Sequence, residues 1–218
     1  MRQLKITLAG SSAYLMNNPA SMKSTSGGKK RTIPTPEEEA ESKCYWLDDA
    51  HSSLAVPATH VHACLIRASG RYKVDKQTLW SILVGACHVE PELIPLHTVD
   101  YQIDSRTAIV QKNRIFRCRA KVMCPWEIEF ELHFDPEWLP FEVVHKTLPE
   151  VIRTAGNLIG IGDYRVEKKG PFGKFYLRRF ELLAQREEIE FPEPDIIGFD
   201  NFTVIPAPKK ANKKKVSA

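Results

Sequence analysis

The sequence has no apolar run of membrane-spanning length, and its opening residues, MRQLKITLAG, alternate like a strand where a secretory signal would carry an apolar block. No membrane partner is expected, and the expected location is cytoplasmic. There is no Walker loop, HExxH helix or serine elbow, so the commonest nucleotide-hydrolysing, zinc-protease and hydrolase readings drop out. Cysteine is scarce: Cys44, Cys64, Cys87, Cys118 and Cys124 form an odd set without a CxxC pair. Buried thiols in a reducing compartment fit this pattern better than a disulfide framework or a zinc site. Glycine is scarce too, and unevenly placed. Of 11 glycines in 218 residues, Gly156, Gly160, Gly162, Gly170 and Gly173 fall within one short segment, GNLIGIGDYRVEKKGPFGKFYL.

What is present reads as a globular chain, with 43% hydrophobic and 27% charged residues. The net charge of +4 is misleading, because Lys209, Lys210, Lys213, Lys214 and Lys215 crowd the end of the chain. Without them the basic residues fall from 31 to 26 against 27 acidic, a net of −1. The body is close to neutral and the tail is a basic appendage, of the kind that attracts phosphates weakly or confers solubility.

Gln3 to Leu8 alternates as a half-buried strand. Residues 17–43, rich in Asn, Ser, Thr, Gly and Pro, read as a flexible insertion with a basic centre at Lys23, Lys29, Lys30 and Arg31. LAVPATHVHACLIRASG predicts a helix entered through Pro57 and Thr59 and closed by Gly70, with Val61, Cys64, Leu65 and Ala68 on its buried face. WSILVGACHVE reads as a strand and residues 100–109 as a connection. TAIVQKNRIFRCRAKV and WEIEFELHFD then read as a hairpin turning at Met123, Cys124 and Pro125. That register sets Lys121, Arg119 and Arg117 opposite Glu127, Glu129 and Glu131 as a neutralised charge ladder. In TLPEVIRTAGNLIG, Thr147 and Glu150 form the pattern of a capping box, ahead of a stripe of Val151, Ile152, Ala155, Leu158 and Ile159. The strand KFYLRRFELLA follows the glycine segment.

In order, these elements give βαββαβ, an α+β fold of the ferredoxin-like or RRM-like kind. Its domain would span 1–186, with 187–208 as a wrapped extension holding a short strand at Phe202 to Ile205, and 209–218 as a disordered basic tail. Such folds often bind single-stranded RNA on the open face of the sheet. His60 and His62, two apart on a helix, diverge and cannot share a metal, so neither a metal nor a cofactor is expected. One of the two could serve as a general base. Gly160-x-Gly162 follows a helix and precedes a strand, the reverse of a dinucleotide fingerprint. Gly160 and Gly162 suit a left-handed helix end, and Gly170 and Gly173 a close backbone approach. The cationic DYRVEKK between them leaves a phosphate contact open.

Three stretches together resemble the RAMP superfamily, the RRM-fold proteins that include backbone subunits of CRISPR effector complexes: LKITLAG, LAVPATHVHACLIR and GIGDYRVEKKGPFGKF. The second is similar to that family's helix entry, with Pro57, Thr59 and Arg67 at matching places; the third also resembles the ending of a group of uncharacterised phage proteins. Thr59 and His60 stand where the family has a serine pair, and Ala63 where it has a glycine. Residues 17–43 contain no aspartate of the kind that cuts target in cleaving subunits. The resemblance implies a non-catalytic single-stranded nucleic-acid binder, RNA before DNA, assembling with copies of itself or other subunits, in a host cytoplasm if phage-encoded. Arg165, Lys168, Lys169 and Lys174 would contact phosphates, with Tyr164 or Phe172 as a stacking platform and His60 and Arg67 in support. Gly160, Gly162, Gly170 and Gly173 would give the backbone its close approach. A metal-independent endoribonuclease and a subunit-mimicking inhibitor are the alternatives.

Overall fold

The computed structural model describes residues 1–19, 34–74, 76–110 and 113–183. In chain order the first elements are β1 (Arg2–Gly10), β2 (Tyr14–Leu15), α1 (Pro36–Ser42), β3 (Ala55–Pro57) and α2 (Ala58–Ser69). Next come β4 (Lys73–Val74), β5 (Gln77–Thr78), α3 (Leu79–Ala86), β6 (Cys87–Glu90) and β7 (Leu93–Pro95). β8 (Gln102–Val110), β9 (Asn113–Val122), β10 (Glu127–Phe134), α4 (Phe141–Lys146), α5 (Leu148–Thr154) and β11 (Phe175–Leu182) complete the set. The architecture is mixed α and β, with antiparallel sheets. A four-stranded sheet runs β11-β1-β10-β6 and a three-stranded sheet runs β2-β9-β8. The extension from 187, the basic tail, the strand expected at Phe202 to Ile205, and Lys23, Lys29, Lys30 and Arg31 all lie outside the described residues.

Matched alternation builds the four-stranded sheet. Leu4, Ile6 and Leu8 of β1 stand opposite Leu132, Phe130 and Ile128 of β10, and all six are buried. Val61, Cys64, Leu65 and Ala68 of α2 and Val151 and Ile152 of α5 are buried in the same core. Each large apolar side chain removed from water there contributes about 1.5–3 kcal/mol. The other sheet face carries Glu90, Glu127, Glu129, Glu131 and Glu181 with Lys5, Arg178 and Arg179. Lys5 pairs with Glu129 at 2.7 Å, Arg178 with Glu127, and Arg179 with Glu181. This face thus carries five carboxylates, three of them paired with cations.

Several sequence expectations are corrected. The β9–β10 hairpin does not form. β9 pairs with β8, from Val110↔Asn113 to Gln102↔Lys121, and β10 crosses to the other sheet to pair with β1. β1 offers β10 an apolar partner for each inward residue, which outweighs the short turn. Trp126, buried at the crossing, donates from Nε1 to the Ser12 carbonyl at 2.8 Å. The charge ladder goes with the hairpin: Arg117 pairs with Glu39 at 3.2 Å and Arg119 with Asp163 at 2.8 Å. Residues 79–86 are helical because Leu79, Leu83 and Ala86 bury one face at i, i+4 and i+7. Residues 102–109, read as a connection, belong to strand β8.

Part of the supposed flexible insertion is helix α1, closed by a capping box between Thr35 and Glu38. Glu39 accepts from the Cys118 amide at 3.1 Å, tying α1 to β9. Thr147 and Glu150 make no such box: Thr147 also ends α4, with helical backbone and its N–H on the Val143 carbonyl. Its side chain therefore cannot turn back over α5. Leu158 leaves the buried stripe and is 47% exposed. Residues Ala155–Ile159 form a π turn, with Gly160 N–H bonding the Ala155 carbonyl at 2.8 Å, and the wider turn rotates Leu158 outward.

Candidate nucleic-acid interface

α2 presents His60, Ala63, Cys64 and Arg67 to the π turn and the loop that follows it. Ile159 to Gly162, Arg165, Glu167 and Lys168 form the opposite wall of a cleft of about 410 Å³. The glycines build that wall by letting strands of the loop lie unusually close. A Cβ on Gly170 would sit 1.6 Å from the Tyr164 carbonyl oxygen, and one on Gly173 1.8 Å from that of Ile161. Gly160, Gly162 and Gly173 also adopt positive φ, of 77°, 81° and 72°. Most loop amides are consumed within the protein: Ile161 donates to Gly173, Asp163 to Leu15, Gly170 to Arg165, and Gly173 to Ala13. The glycines thus shape the loop and do not form an open cradle of N–H groups.

Glu167 organises the charges. It accepts from Arg67 Nε at 2.6 Å and from Arg165 at 2.9 Å. Burial raises the Glu167 pKa, but these two hydrogen bonds and the guanidinium charges outweigh it and hold the carboxyl below its ordinary range. One expected phosphate ligand, Arg165, and the supporting Arg67 are therefore already paired with a carboxylate. Lys168 is exposed on the cleft wall and Lys169 next to it adopts a left-handed φ of 63°. Lys174 is exposed at the foot of β11, where its backbone bonds Ser11 and Ser12. Among the described residues, no carboxylate lies within ion-pair distance of these three lysines.

The aromatic pair divides. Phe172 is buried, 6.2 Å from the Tyr164 ring centroid, while Tyr164 is 39% exposed at a positive φ of 44°. Arg106 lies over both, 4.8 Å from the Phe172 ring centre and 5.7 Å from that of Tyr164, and is anchored by Asp104 at 2.7 Å. Of the two rings, only Tyr164 is exposed to solvent. Arg106 was hidden by the reading of its segment as a connection. Glu167 stands in plain sight two residues after Arg165, and that spacing was the available signal.

His60 lines the cleft floor, its Nδ1 3.3 Å from the Tyr14 hydroxyl and its ring edge-on to Tyr45. Burial, and then the charge of Arg165, lowers its pKa, so the imidazole is neutral. His62 points elsewhere, toward the Cys87 sulfur at 4.0 Å. The Cys64 thiol is pushed up to about 12, chiefly by burial, and is no nucleophile.

No protein-family model matches the chain, and no curated protein matches it. Among solved structures, it is similar to a chain in the cryo-EM structure of the Type III-B Cmr-beta bound to cognate target RNA, with a TM-score of 0.51 and 10% identity. The match covers 83% of this chain and 60% of that one, so this chain accounts for well under two thirds of its neighbour's length. At this identity the two share a fold. No helix among the described residues is long and apolar enough to cross a membrane.

Proposed function

We propose that this protein is a non-catalytic binder of single-stranded nucleic acid, RNA in preference to DNA, built on a ferredoxin-like core of the RAMP type and assembling along the strand. The sheet order β11-β1-β10-β6, with α2 and α5 as the crossovers, supports the core assignment. The observation that carries the ligand class is the loop from Tyr164 to Lys174: three exposed lysines with no ion-pair partner among the described residues, and one exposed ring, beside an open cleft. Lysines of this kind neutralise phosphates, and a base stacked on Tyr164 would contribute about 1–3 kcal/mol. The fold neighbour comes from an RNA-bound assembly, which favours RNA over DNA.

The test uses protein purified without nuclease, its 260/280 nm absorbance ratio and size-exclusion mass, then anisotropy titrations of labelled RNA and DNA single strands across salt. Binding is expected, with RNA tighter. The combined change of Lys168, Lys169 and Lys174 to Ala should flatten the plot of log K against log salt by about 2, at roughly 0.7 for each phosphate no longer neutralised. Wild-type protein that ignores both strands at low salt overturns the proposal, and a stable complex with another protein instead would point to the inhibitor. The endoribonuclease alternative rests on His60, the titratable base in the cleft. Cleavage of labelled RNA that disappears in His60→Ala would establish it.

A further inference from the structure

On the outer face of the four-stranded sheet, away from the cleft wall, a second set of donor side chains gathers where edge strand β6 meets β10. The register places Glu90 opposite Glu131 and His88 opposite His133. An H-x-E segment thus faces an E-x-H segment, with all four side chains on one face. Like charges directly opposite one another destabilise a sheet, so two facing glutamates need something positive between them. Lys5, the β1 neighbour of Glu131, is committed to Glu129 at 2.7 Å.

We propose that this face is a binding site for a zinc-type divalent cation, with His88, Glu90 and His133 as ligands and Glu131 adjacent as the fourth. The donor atoms of the first three lie within 4.8 Å of one another. His88 Nε2 is 3.3 Å from one Glu90 oxygen, and His133 Nε2 is 3.4 Å from the other. His133 Nε2 is also 3.4 Å from a Glu131 oxygen. A tetrahedral ion with bonds of about 2.0–2.1 Å holds neighbouring donors roughly 3.3–3.4 Å apart. The two separations to Glu90 match that spacing but use different carboxylate oxygens; with one oxygen from Glu90 the three donors lie within 4.8 Å, close enough for small side-chain rotations to complete the shell.

His133 supplies an independent sign. Its Nε2 is closed off from solvent, yet it has no hydrogen-bond partner among the described residues, although two carboxylates flank it. The His88 and His133 rings are stacked, with centroids 4.7 Å apart and 22° between planes, so the two imidazoles stand side by side over one point of the face. Imidazole nitrogen mixed with carboxylate oxygen selects zinc and its neighbours over magnesium or calcium, which favour all-oxygen shells. Bound there, the ion pins edge strand β6 to β10, which is a structural role separate from nucleic-acid binding.

The full-length protein, stripped with EDTA, is titrated with Co²⁺, whose visible bands report the donor types, and then with Zn²⁺ in competition. One ion per chain is expected, with bands of nitrogen and oxygen ligation, and zinc raises the melting temperature. His88→Ala and Glu90→Gln, both at exposed positions on the edge strand, should each weaken binding by about tenfold or more while keeping the wild-type far-ultraviolet spectrum. Cys124→Ser, which removes an exposed thiol, should leave the titration unchanged. Equal affinity in wild type and His88→Ala, or thiolate bands that vanish in Cys124→Ser, would overturn the proposal, as would no binding at all. Each of these results leaves the RNA titrations unaffected, so the two proposals stand or fall separately.

Discussion

One substitution made at two helical glycines separates packing from propensity. Gly85 in α3 has nothing within 4 Å of where a Cβ would stand, whereas at Gly156 in the π turn that atom would lie 1.9 Å from the Phe175 carbonyl oxygen. Replacing glycine by alanine in a helix ordinarily gains about 0.8–1.0 kcal/mol. Gly85→Ala should show most of that gain. At Gly156 the separation must open to at least 3.4 Å, the near limit of ordinary van der Waals distance. The turn must therefore move away from β11 by roughly 1.5 Å, which places the cost near the top of the overpacking range, about 3 kcal/mol. Subtracting the helical gain leaves Gly156→Ala destabilised by about 2 kcal/mol, a sizeable part of a total stability of about 5–15 kcal/mol. Urea denaturation of both variants, with unchanged m-values, gives the comparison. A Gly156→Ala protein as stable as wild type, or a Gly85→Ala protein that loses as much, would refute the reasoning.

Glu167→Gln frees Arg67 and Arg165, so RNA should bind more tightly and the salt slope should steepen by about 0.7 for each arginine that reaches a phosphate; unchanged titrations would show that neither does. Stability should fall with pH in two stages. His60 and His62 are held neutral in the fold, mainly by burial, so the unfolded chain takes up protons the fold refuses and stability declines below about 6.5. Glu167 is held ionised, so its contribution is complete above the ordinary glutamate range of about 4.3 and disappears as pH drops through its lowered value. Thermal melts at stepped pH check both, and a His60→Gln, His62→Gln double variant should flatten the upper stage. Arg106→Ala leaves the buried Asp104 carboxylate without its ion-pair partner and should cost about 1–3 kcal/mol by chemical denaturation. A loss below about 0.5 kcal/mol would remove that pairing from the account.

Elements whose pattern closes on itself were legible in the sequence. β1, β10, α2 and β11 each carry their own periodicity, and the glycine segment announces a backbone that passes close to itself. Partner choice was not legible, because β9 and β10 are neighbours in the chain and only the inward residues of β1 decide between them. β8 escaped notice because its residues include Asp104, Ser105 and Arg106, which lack apolar alternation and are held by the ladder to β9. Leu158 was misplaced by assuming a regular turn through a π segment. In the cleft, the cationic residues stood out by type. Their pairing did not, since Arg67 and Glu167 meet across 100 residues. The same applies to His88 and His133, which belong to different strands and share a face only through the register.

The central place of β1 has a consequence for how the molecule assembles. Its neighbours on either side come from far along the chain: the Thr7 hydroxyl meets Glu129 across 122 residues, and the Ser12 hydroxyl meets the Lys174 amide across 162. Sheets built on such distant pairings form slowly, because the entropy of closing large loops is lost before any contact compensates. On a ribosome, β1 emerges with two unpaired edges and an apolar face, and it keeps one edge open until β11 has been made. Of this sheet's four strands, the earliest translated is the last to be enclosed, so a nascent chain that stalls before Phe175 displays a ready template for mispairing.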